Sequence, residues 1–244
     1  FWYGLLALVT ILPLSLLLRR RAPLPELEGP ATGPPPPSPT ARRRPGLSGL
    51  GGISARQLQF TLSAAIVGCC VAMSMPLGHV VAHTSDLGFS LARGAEMLSV
   101  ILGASFISRI LGGFLIIDRF GGLRALLVFS FLQAAGMALY AVVDGLVGLY
   151  LVSFLFGLGY GGINMCYPSI IRDYLPVRET GRRMGAISLF GALGMALGGW
   201  LGGWVFDLTG AYALAFGIGA TFNLANLAVV MTLVHRRRQG GRTE

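Results

Sequence analysis

Apolar residues in this chain run in blocks rather than alternating with polar ones. In order, the blocks cover residues 1–18, 57–81, 95–117, 123–143, 146–171, 184–206 and 211–234. About 20 predominantly apolar residues are enough for a helix to cross the hydrocarbon core of a bilayer. In lipid each backbone polar group has to be satisfied within its own segment, so the blocks predict seven membrane-spanning helices. The breaks between them carry turn residues: Asp144-Gly145, Asp207-Leu208-Thr209-Gly210, and the charged turn Asp118-Arg119-Phe120-Gly121-Gly122-Leu123-Arg124.

The first block opens the chain without a methionine, which suggests an N-terminal truncation. No basic region precedes it and no small-residue cleavage site follows, so a transmembrane helix ending at Arg19-Arg20-Arg21 fits better than a signal peptide. Residues 19–56 then change character to Pro, Gly and Arg, and predict a flexible, partly polyproline linker. Its PPPPSP run has the form of an SH3-type ligand, but a solvated connector is the favoured reading.

Composition agrees with the pattern. The chain is 54% hydrophobic and 12% charged, with a mean hydropathy of +0.70, which excludes a water-facing exterior. A net charge of +9 and a pI near 10.3 would suit a nucleic-acid binder, but the distribution argues otherwise. All nineteen basic residues are arginines, clustered beside the apolar blocks, as in membrane proteins whose topology is encoded by charge. With seven spans alternating sides, seventeen arginines fall on the side of the linker and the C-terminal tail; the other side receives only Arg93, and Arg109 lies within a span. The expectation is a multi-pass protein of the cell (inner) membrane with the linker 19–56 and the tail 235–244 in the cytoplasm.

Arg109 is the first candidate for function. An arginine at mid-span costs about 2.5–3.5 kcal/mol even on the lenient insertion scale, so it is usually turned toward a protein interior or cavity. There its guanidinium could hold a substrate carboxylate by two parallel hydrogen bonds. A structural ion pair or a side chain snorkelling to the interface is the competing reading. His79 and His83, four residues apart on one helix face, could contact substrate or handle protons; at the helix mouth they could equally be interfacial. Asn164 and Tyr167 are polar at membrane depth and could line a pathway or bond helix to helix. Tyr160 and Met75 are weaker candidates. Glu96 could be a proton site or a helix-start acid.

Other residues need no chemistry. Gly191, Gly194, Gly198 and Gly202 recur every three or four residues, as do Gly157 and Gly161, and predict close helix contacts. The three cysteines, Cys69, Cys70 and Cys166, lie in apolar segments at no metal-ligand spacing and read as small buried hydrophobes. The sequence contains no His-Glu-x-x-His, no Gly-x-Ser-x-Gly and no paired intramembrane carboxylates, so neither a membrane enzyme, a metal nor a cofactor is expected.

One span, a long linker and six further spans are what remains of a twelve-span protein made of two six-span halves and cut inside its sixth helix. Here the chain resembles the major facilitator superfamily, whose halves carry an Asp-Arg-x-Gly-x-x-Arg turn, matched by Asp118, Arg119, Gly121 and Arg124. Within it the stretches GHVVAHTSDLGFS (78–90), ISRILGGFLIIDRFGG (107–122), YGGINMCYPSIIRDYLP (160–176) and GWVFDLTGAY (203–212) look most like the monocarboxylate and oxalate transporter branch. The resemblance implies an all-α integral membrane protein: residues 1–18 as the last helix of an N-terminal half, 19–56 as linker, and 57–234 as the C-terminal six-helix bundle.

It also implies function. A secondary transporter would move a small organic anion, with protons as candidate coupling ions, in partnership with the bilayer and the missing N-terminal half, and without nucleic acid. Drug efflux by the same fold and a non-transporting scaffold are the alternatives. Arg109 matches an arginine implicated in substrate binding, and His79, seven residues before Asp86, matches a histidine common in that branch. Ser105 stands one turn before Arg109, where some relatives have an aspartate, so an arginine–aspartate proton switch is not implied. Asp118 and Arg119 would gate the cytoplasmic side, together with the charged loop 172–183. One departure stands out: Asp118 follows Arg109 by nine residues, whereas the family spacing is eight. An extra residue turns the aspartate by about 100°, so either the helix end unwinds locally or the turn does not latch.

Overall fold

The computed structural model describes Leu47, Leu50 and residues 52–240. The expected first span (1–18), the PPPPSP run and most of the linker lie outside the described residues.

Among the described residues six helices long and apolar enough to cross a membrane follow one another: α1 (Ala55–Asp86), α2 (Leu91–Leu111), α4 (Gly122–Tyr140), α5 (Leu146–Tyr174), α6 (Thr180–Thr209) and α7 (Tyr212–Gly240). Between α2 and α4 lie a π-helical turn (Gly112–Ile117) and the three-residue α3 (Asp118–Phe120). No strand occurs among the described residues. Several helices overrun their apolar blocks, because hydrogen-bond ladders stop at breakers and not where polarity begins. Gly121 (φ 84°) ends α3, and Gly210 (φ 69°) closes α6 with its N–H on the Phe206 carbonyl at 2.7 Å. α1 starts at a capping box in which Ser54 Oγ accepts from Gln57 N–H (3.1 Å) and Gln57 Oε1 accepts from Ser54 N–H (3.0 Å).

Packing follows the glycines. α6 lies on α1 along Gly191, Gly194, Gly198 and Gly202, all buried. A Cβ at Gly194 would stand 2.8 Å from the Val67 carbonyl oxygen, so the two backbones touch there. α5 uses Gly157 and Gly161 against Ile101 and Ser105 of α2, and Gly159 and Gly162 against Gln133 and Phe129 of α4. The expectation of close glycine packing is met on both helices. Two apolar clusters fill the bundle: one around Leu62, Leu126, Phe129 and Ile170, the other around Met75, Met97, Tyr140 and Phe216. Large apolar side chains such as Phe106, Leu151, Leu193 and Trp200 point outward, as a bilayer-facing protein requires.

Buried polar side chains cross-link the helices. Gln133 on α4 donates to the Cys69 carbonyl on α1 (3.2 Å) and accepts from the Cys69 thiol (3.4 Å). On α7, Asn226 Nδ2 reaches Ser130 Oγ of α4 (3.1 Å) and Asn223 Oδ1 (3.2 Å), and Asn223 donates to the Ser130 carbonyl (3.2 Å). The three cysteines are free and buried, in line with the sequence reading.

Candidate functional site

Arg109 sits near the end of α2, where the helix gives way to the π turn. Its side chain is exposed, with the guanidinium carbon 5.8 Å from the centre of the Tyr160 ring on α5, within cation–π range. No ion pair involves Arg109 among the described residues. The next-door Ser108 Oγ donates to the Leu158 carbonyl (2.6 Å), and Ser105 is buried against Gly161, so the backbone carrying Arg109 is fastened to α5.

Beside Arg109 opens a cavity of about 680 Å³. Asp118 enters it from α3, Pro168, Ser169 and Arg172 from α5, and Thr180 from the start of α6. The π turn explains how Arg109 and Asp118 share it. An i→i+5 turn holds one more residue than an α turn, so it absorbs the extra position between the two. Of the two expectations for that spacing, local unwinding is the one observed. At the start of the turn Gly112 leaves room for the Phe129 ring, which a Cβ there would approach to 2.7 Å.

On α5 the residues Tyr160, Asn164, Pro168 and Arg172 recur every four positions, a stripe in which each adjoins the next while drifting about 40° per step round the helix. Asn164 is exposed and its Nδ2 donates to the Tyr160 carbonyl (3.1 Å). Pro168 has no N–H to offer the Asn164 carbonyl four residues earlier, which leaves an acceptor free on this stripe. From sequence Arg172 reads only as a loop charge; its place one turn after Pro168 on the same helix is the signal that marks it for the cavity.

Other candidates stand elsewhere. Tyr167 is 2% exposed in the apolar core, its hydroxyl has no hydrogen-bond partner, and it is not among the residues that line the cavity beside Arg109. Three positions place it about 60° round the helix from Asn164, and that rotation is enough to seat its ring in the core. His79 packs between α1 and α6: its Nε2 donates to the Gly199 carbonyl (2.9 Å) and its ring stacks on Tyr212 (5.2 Å). His83 is buried, edge-on to Phe216 (5.0 Å), with Nε2 unpartnered. Glu96 is exposed, ion-paired with Arg93 (2.9 Å) and bonded by the Tyr150 hydroxyl. Val81 on α1 meets Gly94 on α2; Arg109 lies fifteen positions further along α2, which sets the histidines and Glu96 roughly 20 Å from it at 1.5 Å per residue. The structure thus gathers Arg109, Tyr160 and Asp118, with Asn164 on the adjoining stripe, and separates them from His79, His83 and Glu96. Among the described residues no group of His, Cys, Asp and Glu could hold a metal.

At the turn, Arg119 stacks over Phe120 (5.7 Å), Arg124 is exposed, and the Arg237 guanidinium of α7 lies 3.2 Å from where a Gly121 Cβ would stand. In the following loop Glu179 pairs with Arg183 (2.5 Å) and Arg182 (3.8 Å), and Arg183 also donates to the Ala55 carbonyl (3.2 Å).

Comparison with known proteins agrees with this architecture. The Major Facilitator Superfamily profile matches residues 1–198 and 147–244. The monocarboxylate transporter 13 of Bos taurus is 29% identical over 240 residues, 96% of this chain and 53% of its own length. That of Rattus norvegicus is 28% identical over 179 residues, 73% of this chain and 41% of its own. The chain therefore spans about half the length of the curated relatives it matches. In fold it is similar to the POT family transporter PepTSo (TM-score 0.62, 19% identity, covering 73% of this chain and 37% of that one). It is also similar to an auto-inhibited POT family peptide transporter (TM-score 0.60, 21% identity, 72% and 37%). With six apolar helices among the described residues, a glycine-packed bundle and the Asp118–Arg124 turn, this chain is a multi-pass membrane protein and belongs to the Major Facilitator Superfamily.

Proposed function

We propose that the chain is the C-terminal half of a secondary transporter for small organic anions, working by alternating access with an N-terminal half that residues 1–18 would complete and residues 19–56 would connect. One observation carries the reading: Arg109, without a carboxylate partner among the described residues, borders an open cavity where α2, α5 and α6 converge. A guanidinium kept for structure alone would be expected to hold an acid. Tyr160 beneath it supports its planar orientation, and Asn164 adds a polar contact on the same side. Two arginines against one aspartate favour an anion over a cationic drug in this cavity.

The arginine distribution supports a cytoplasmic linker and tail, which would put the Asp118–Arg124 turn and the cavity mouth on the cytoplasmic side, with Asp118 and Arg119 in the gate. Proton coupling rests on the family resemblance alone, because His79, His83 and Glu96 stand away from the cavity. The test is uptake of labelled lactate and oxalate into liposomes by the full polypeptide, with and without a pH gradient. Arg109→Ala is expected to abolish uptake at normal expression. Uptake with unchanged affinity would remove Arg109 from the binding site.

A further inference from the structure

The cavity beside Arg109 holds a second guanidinium that no expectation about the site had included. Arg172 ends the α5 stripe and lines the same space, with Ser169 and Thr180 supplying hydroxyls and Asp118 the one carboxylate. Its nearest acid is Asp173, at 3.8 Å and with the Arg172 side chain 62% exposed. A pair at that distance and exposure is held weakly, so most of the five guanidinium N–H groups remain free for an incoming anion. Ser169 and Thr180 donate without adding charge.

The charges lining the cavity are Arg109, Arg172 and Asp118, a net of one positive charge. We propose that Arg172 is a second anion-binding residue of this cavity, and that Asp118 offsets one of the two arginines so that the occupant carries a single negative charge. The proposal rests on the reading of Arg109 as the carboxylate anchor. Arg172 would engage the second carboxylate oxygen, or a hydroxyl or keto oxygen beside it, while Arg109 holds the first. A dianion would meet Asp118 uncompensated. The π turn belongs to the same device, since it is what brings the Asp118 carboxylate round to the side of Arg109.

The test is equilibrium binding to the full polypeptide in lipid nanodiscs, read with butyrate and succinate as four-carbon probes of one and two charges. Binding is chosen over uptake so that a gating defect is not mistaken for lost affinity. Arg172→Gln is expected to weaken butyrate by about 10- to 100-fold, the range for losing a charged hydrogen bond. Arg172→Lys keeps the charge without the planar fork and should fall between. Moving the charge across the cavity, in Arg172→Gln with Thr180→Lys, should recover part of the loss, which a merely structural arginine would not do. Asp118→Asn should shift preference toward succinate. Butyrate affinity unchanged in Arg172→Gln but lost in Arg109→Gln would overturn this inference and leave the anchor standing; affinity unchanged in both would overturn the anchor as well. A loss in Arg172→Gln that the relocated lysine leaves untouched would also count against it.

Discussion

Arg109 and Asp118 line one cavity although nine positions separate them. Nine α-helical steps of 100° would leave them about 180° apart, and eight would leave about 80°. The π turn at Gly112–Ile117 removes the difference. Deleting Gly113, around which a Cβ would meet nothing within 4 Å, is expected to convert the turn to regular α-helix and keep Asp118 on the cavity side. The purified deletion variant should melt within a few degrees of the parent and retain anion binding. Inserting an alanine after Gly113 should lower both. The reverse pattern would show that the π turn has some purpose other than register.

The α2–α5 contact is made by backbones rather than side chains. A Cβ at Gly157 would stand 2.5 Å from the Ile101 carbonyl oxygen, and one at Gly161 would overlap the Ser105 backbone. Neither neighbour is a flexible side-chain end, so the helices themselves would have to part. Gly161→Ala is expected to destabilise the fold by about 1–3 kcal/mol, the range for overpacking. Gly217→Ala on α7, with nothing within 4 Å of the added carbon, should be neutral or gain about 0.4–1 kcal/mol. Thermal midpoints of the two variants in one detergent decide the matter: equal shifts would mean that the glycines of α5 are not there for close approach.

Much of this architecture can be read from the sequence because lipid exposure imposes long apolar blocks and close packing imposes spaced glycines. The nine-residue spacing likewise points to local unwinding of the helix end or to a turn that does not latch, but it does not say which or where. What the sequence does not disclose is rotation. Asn164 and Tyr167 are both polar and three positions apart, yet one is exposed and the other sealed in the core. Arg172 opens a charged loop and reads as a topology signal until α5 is seen to bring it into the cavity beside Pro168 and Ser169. The buried network of Ser130, Asn223 and Asn226 joins residues more than ninety positions apart, and no local pattern marks such a pairing.

His79 holds α1 to α6 through its bond to the Gly199 carbonyl, and its ring fills the space above Gly202, where a Cβ would come within 2.6 Å. A carbonyl only accepts, so Nε2 carries the proton in this arrangement. His79→Ala removes an interhelical hydrogen bond, worth about 0.6–1.7 kcal/mol in membrane proteins, together with the stack on Tyr212. The expected outcome is a lower thermal midpoint with anion affinity within about twofold of the parent. An unchanged midpoint with a tenfold loss of affinity would return His79 to the binding path.

Tyr167 offers the sharpest separation between a binding residue and a core residue. Its ring is packed with Cys166, Ile163 and Ile170, and its hydroxyl finds no partner. A buried hydroxyl without a hydrogen bond costs about 1–3 kcal/mol in desolvation, so Tyr167→Phe keeps the packing and removes the penalty. The variant should melt at or above the parent temperature and bind anions with the same affinity. A substrate contact through the hydroxyl would behave oppositely, with the fold intact and affinity falling by about tenfold or more, because the lost bond would be one made to a charged ligand. Measuring both quantities on the same preparation distinguishes the two, and the second result would require the pathway to reach inside the bundle, behind the stripe of α5 that lines the cavity.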